Sequence, residues 1–169
     1  MGLRLVTHIY QQYLDEIVAW YKRRGRVGGV QPPCSPDAVE RLRFESRVEL
    51  FCDVPAEYMD FLRISNGVAW NGLHIYASET APLAGYEDRI DRYIDGFVDA
   101  NLEWREYEPH KDYLYFADSS ISLYAYNLVE ARYEIQDQCS MDVVEVLPSF
   151  DHLIASALRV HIPRSERFR

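Results

Sequence analysis

The chain has 169 residues, 48% of them hydrophobic and 27% charged, a balance that suits one globular domain with a sizeable core and does not suit a disordered or fibrous chain. Its formal net charge of −9 argues against general affinity for nucleic acid, whose phosphates it would repel, and favours association with a basic partner. No apolar run approaches the roughly 18 residues needed to span a bilayer. The N-terminus lacks a secretory apolar region and cleavage site, so the expected location is the cytoplasm, with no membrane partner.

The first predicted helix runs from His8 to Arg24, with Ile9, Tyr13, Leu14, Ile17, Val18 and Tyr21 as its apolar stripe. Lys22, Arg23, Arg24 and Arg26 cluster at its end, before and after the stop at Gly25. Cations there complement the negative pole of the helix dipole, a simpler account than a nucleic-acid contact. Residues 28–34, Gly-Gly-Val-Gln-Pro-Pro-Cys, read as a loop without the Lys-Ser/Thr ending of a phosphate-binding loop. Ser35 caps a second helix, from Pro36 to Ser46, that carries Val39, Leu42 and Phe44 inward. A third helix opens at Pro55, gathers Tyr58, Phe61 and Leu62 on one face, and stops at Asn66-Gly67. Asn71-Gly72, between Val68-Ala69-Trp70 and Leu73-His74-Ile75-Tyr76, specifies a two-residue hairpin turn.

After a connector at 81–85, the spacing predicts a long helix from Tyr86 to Glu103. Ile90, Ile94, Phe97 and Val98 form its buried face, with Tyr93 beside them. Its other face carries Glu87, Asp91, Asp95 and Asp99 at four-residue intervals; Asp88 and Glu103 add to it, against only Arg89 and Arg92. Such a stripe is either a solvated helix face or a surface that meets a basic cleft. Tyr113 to Ala117 is an apolar run suited to a central strand. Ile121, Leu123 and Ala125 alternate with Ser122, Tyr124 and Tyr126 in the period of a half-buried strand. Residues 133–137 and 143–147 supply two more strands, and Ser149 caps a last helix with Phe150, Leu153, Ile154, Ala157 and Leu158 on one face. Together these elements predict a single α+β domain, a mainly antiparallel sheet covered by helices, with residues 163–169 as a flexible tail.

There are thirteen tyrosines. Tyr124 and Tyr126 leave one side of their strand together, as do Tyr113 and Tyr115 of theirs, either toward a partner or into the core beneath helices. Trp70 and Trp104 read as anchors of the fold. The candidate partner-binding residues are therefore Glu87, Asp88, Asp91, Asp95, Asp99, Tyr124 and Tyr126.

No Gly-x-Ser-x-Gly elbow and no His-Glu-x-x-His helix occurs. The five histidines are scattered, and Cys34, Cys52 and Cys139 are too far apart for a metal knuckle or a disulfide framework. Asp118-Ser119-Ser120 reads as a turn. The expectation is a protein without catalytic residues, cofactor or metal; convergence of His152 or Ser119 with carboxylates in a deep pocket would reverse it.

The pattern Pro55-x-x-Tyr58-x-x-Phe61-Leu62-x-x-x-Asn66-Gly67, followed by a tryptophan-containing hairpin, resembles the SUKH superfamily of Smi/Knr-type domains. The similarity continues in residues 101–106, 114–120 and 148–154, and spans about Ser35 to Val160. The order and spacing of these segments carry it, since each is mainly structural. The resemblance implies a helix-covered α+β sheet and a non-enzymatic bacterial immunity protein that binds and neutralises a cognate toxin, often a basic nuclease. As an alternative it admits a stand-alone regulatory or scaffold module without a toxin. Neither reading fixes the oligomeric state.

Overall fold

The computed structural model describes residues 7–163. Their elements, in chain order, are α1 (Gln11–Arg23), α2 (Pro36–Glu45), a π-helical turn (Ser46–Leu50), α3 (Ala56–Ile64), β1 (Val68–Trp70), β2 (Leu73–Ile75), β3 (Ala81–Pro82), β4 (Tyr93–Ile94), α4 (Phe97–Trp104), a 3₁₀ turn (Glu108–Asp112), β5 (Tyr113–Asp118), β6 (Ser122–Asn127), β7 (Arg132–Asp137), β8 (Val143–Leu147) and α5 (Phe150–His161). Six strands form one antiparallel sheet in the order β1-β2-β5-β6-β7-β8, and β3 and β4 pair separately. The chain is a single α+β domain. The flexible tail expected at 163–169 lies outside the described residues beyond Pro163.

Local chemistry explains most of the boundaries. Ser35 and Ser149 accept hydrogen bonds from the Ala38 and His152 amides, both at 3.2 Å, and so cap α2 and α5. Asn71 and Gly72 both take positive φ, 46° and 82°, the geometry of a type I′ turn that matches strand twist. Gly67 adopts φ +95°, and a Cβ there would fall 2.8 Å from the Ile75 carbonyl, so the entry to the sheet admits only glycine. The Gly-Gly loop is not idle. Its backbone bonds to the edge of β1, with Ala69 N donating to Gly29 O at 2.9 Å, and covers an edge that would otherwise be open.

α5, α3 and α1 cover one face of the sheet, where Tyr58, Phe61, Phe97, Phe116 and Phe150 pack edge to face, tilted or, for Phe97 on Phe116, stacked, with no exposed surface. β2 pairs with β5 at His74 and Ile75, opposite Asp118 and Ala117, and the contact ends where Tyr76 N donates to Phe116 O at 2.9 Å. The first half of β5 therefore has no strand on that side, and α4 takes the place of one. The Asn101 amide accepts from Tyr115 N and donates to Tyr115 O, each at 2.8 Å, as a neighbouring strand would.

The long helix expected over Tyr86–Glu103 does not form; only Phe97–Trp104 is helical. Residues 84–92 run as turns, Gly85 sits at φ +84°, and Tyr93-Ile94 pair with Ala81-Pro82. Gly96 lets the chain pass so close to residues 79–80 that a Cβ would lie 2.5 Å from Thr80 N. Pairing with 77–82 thus overrides the helical period. Ile90, expected inward, is 99% exposed, and Tyr93 is exposed. Ile9 and Val18, expected in the α1 stripe, are also exposed.

Phe44 is turned outward rather than inward and shares an exposed stretch with Val48 and Phe51. Phe51 is 88% exposed and adopts the left-handed conformation, φ 56°, just after the π-helical turn. A bulky side chain is strained there and gains no burial, so Phe51→Asn is expected to raise stability by up to about 1 kcal/mol. A fall in the urea midpoint would instead show that the ring packs. Among the described residues no helix is long and apolar enough to cross a membrane.

Candidate functional site

Where α4 ends, the chain turns through Trp104 and Tyr107 into the 3₁₀ turn and β5. This corner, the ends of β2 and β5, and the β7–β8 turn enclose a cleft of about 600 Å³. Its rim and floor carry four carboxylates, Asp95, Glu103, Glu106 and Asp118, against an aromatic wall of Trp104, Tyr107 and His110. The His110 ring lies 5.3 Å from Trp104 and 5.4 Å from Tyr107.

Hydrogen bonds hold the floor in place. Trp104 Nε1 donates to Tyr76 Oη at 2.9 Å, and Tyr76 Oη donates to Asp118 Oδ2 at 2.5 Å. Burial, with the Asp118 charge and hydrogen bond added, pushes the Tyr76 phenol well above its ordinary pKa, so it stays a donor. His110 Nδ1 lies 2.5 Å from Tyr115 Oη, and burial lowers the imidazole pKa, so this wall is uncharged at neutral pH. Behind it, on the same face of the sheet, fully buried Glu134 accepts from Arg132, Asn127 and Gln136 at 2.7, 3.0 and 3.1 Å. Burial acts to raise the Glu134 carboxyl, but these three donors outweigh it and leave its pKa below the ordinary value.

Three of the four cleft carboxylates lack a hydrogen-bonded partner among the described residues, whereas Asp118 is held by Tyr76 and lies beside His74. Asp53, Asp60, Asp91 and Glu108 each sit 2.6–3.0 Å from an arginine or lysine. Among the described residues, the side chains of Asp95, Glu103 and Glu106 make no hydrogen bond or ion pair. Asp95 is partly buried; desolvation first, then the charge of Asp118, raises its pKa. The nearby His74, when protonated, offsets part of this, and a negative charge taken partly out of water with so little counter-charge is a cost that a bound cation would reduce.

Of the residues expected at a partner surface, only Asp95 lies in this cleft. Asp99 is held by the Thr80 hydroxyl at 2.5 Å. Glu87, Asp88 and Asp91 are exposed on the turns before β4, not on a helix; Glu87 accepts from Gly85 N and Asp91 from Arg89, bonds that lower both carboxyl pKa values. Tyr124 is 2% exposed and belongs to the core, because α5 covers its side of β6. Tyr126 is half-buried against Tyr133, ring centroids 4.9 Å apart. Both therefore act mainly in packing. Sequence reading missed Glu106, Tyr107, Tyr76 and Asp118, although Glu103-Trp104-Arg105-Glu106-Tyr107, which sets acids beside rings, was a visible signal. Trp104 anchors the fold, as expected, and also faces the cleft.

Ser119 Oγ accepts from Ser122 N at 3.1 Å as a turn residue, and His152 Nδ1 sits 2.7 Å from the capping hydroxyl of Ser149. Neither meets the carboxylates of the cleft. Among the described residues no group of three His, Cys, Asp or Glu side chains is placed to hold a metal.

His74 lies 3.5 Å from the second oxygen of Asp118, and that hydrogen bond outweighs partial burial to raise the imidazole pKa. Its stabilising contribution is fully present below the ordinary pKa of about 6.5 and is lost as pH rises through the raised folded value. His74→Gln should therefore be less stable than the parent at about pH 5.5 and equal to it at about pH 9. A difference in urea midpoint that does not change with pH would refute the pairing.

No family model matches this sequence, and a search of curated proteins returns no match.

Proposed function

We propose that this protein acts by binding a basic protein in the carboxylate-lined cleft, as a cytoplasmic immunity protein that neutralises a cognate toxin of the nuclease kind. The observation that carries the reading is the set of unpaired carboxylates, Asp95, Glu103 and Glu106, beside the aromatic wall. Charges of this kind speed encounter with a basic partner and select against acidic ones, while aromatic rings supply contact area once water leaves. The overall charge of −9 acts in the same direction at longer range. The likeness of residues 35–160 to SUKH domains is what turns a binding protein into an immunity protein.

A second reading, a regulatory or scaffold module without a toxin, is favoured by the exposed apolar stretch Phe44, Val48 and Phe51, a surface of different chemistry suited to another contact.

Glu103 and Glu106 are exposed and unpaired, so their reversal to lysine is expected to leave folding intact. It should weaken capture of a basic partner from the native cells by at least about tenfold, a loss of roughly 1.4 kcal/mol. The captured partner should be toxic when expressed alone, and the parent chain, not the double variant, should restore growth. Equal rescue by both chains would remove the cleft from the interface; a captured partner that is not toxic would favour the scaffold reading.

A further inference from the structure

The form of the cleft narrows what can occupy it. Glu103 and Glu106 stand exposed at the rim, while Asp95 is partly buried and Asp118 is fixed from below by Tyr76. Two separated carboxylate levels suit a cation whose donors are spread over a wide, flat group. Trp104 and Tyr107 add ring surface on the same side; Tyr107 is 61% exposed, and the neutral His110 packs between the two rings. A lysine ammonium is compact and strongly hydrated, so it gives up more to enter a partly dry site. A guanidinium is flat and weakly hydrated, with five donors in its plane and faces that lie on aromatic rings. At about 600 Å³ the cavity also has room for a long side chain and its peptide backbone. We infer that the cleft takes an arginine side chain of the basic partner in preference to a lysine, with the guanidinium edge toward Asp95 and Glu103 and its face toward Tyr107. This rests on the reading of the cleft as the partner site.

Blocked tetra-arginine and tetra-lysine peptides carry equal charge and separate guanidinium recognition from charge alone. In calorimetric titrations of the full chain at low ionic strength, tetra-arginine should bind about fivefold to tenfold more tightly than tetra-lysine. Asp95→Asn with Glu103→Gln should weaken both peptides. Tyr107→Ala, which removes an exposed ring and leaves the core untouched, should weaken tetra-arginine alone and bring the ratio close to one. Equal affinity for the two peptides, with both lost in the Asp95 and Glu103 variant, would overturn the arginine preference and leave the cleft as a site for basic partners. Binding that the Asp95 and Glu103 variant does not change, or no binding of either peptide, would overturn the cleft reading itself.

Discussion

Phe61→Ala is expected to cost about 3–5 kcal/mol of unfolding free energy, the usual price of emptying a sealed aromatic site. Phe61 has no exposed surface, and its ring lies 5.3 Å from Tyr10 and 6.2 Å from Phe150, so it joins the N-terminal segment, α3 and α5. No neighbour has a free side on which to relax into the space. Phe61→Leu keeps most of the volume and should cost much less. Urea unfolding at constant slope measures both, and a loss below about 1.5 kcal/mol for the alanine variant would contradict the sealed packing.

Asn101→Ala is expected to cost about 2–4 kcal/mol, although it removes little apolar surface. The Asn101 amide is fully buried and pairs with both backbone groups of Tyr115 on the unpaired side of β5; a second bond from Nδ2 to Phe97 O, also 2.8 Å, ties it to its own helix. Without it, a donor and an acceptor are stranded at the edge where β2 has stopped and no water reaches. Hydrogen exchange at the Tyr115 amide gives a site-specific readout. Faster exchange there, with the total cost above, is the expected result. Unchanged protection would mean that β5 finds another partner on that side. The consequence reaches the cleft, because α4 positions Glu103 and Trp104 two and three residues further on.

Most of the frame was legible from the chain. The Asn71-Gly72 turn, the caps at Ser35 and Ser149, the Tyr58-Phe61-Leu62 face and the four long strands all appear close to where periodicity and turn chemistry put them. Each depends on residues within about one helical turn, so each is written in short stretches of sequence. The candidate site was legible only in Asp95 and, in part, Glu103. Four-residue spacing from Glu87 to Asp99 fits a helix, but it does not exclude a chain that turns, pairs through Tyr93-Ile94 and begins its helix only at Phe97.

The sequence by itself determined an acidic α+β chain with these turns, caps and apolar faces, because such features follow from local sterics, hydrogen bonding and composition. Only the tertiary structure decided which acids stand together. It put residues 77–82 against 93–96 in place of a helix and buried Tyr124 beneath α5. It also brought Asp118 at the end of β5 beside Asp95 and the Glu103–Tyr107 corner. Those outcomes depend on the close approach at Gly96, the early end of β2 and the cover that α5 gives the sheet. They are contacts between distant parts of the chain, and no spacing along it encodes them.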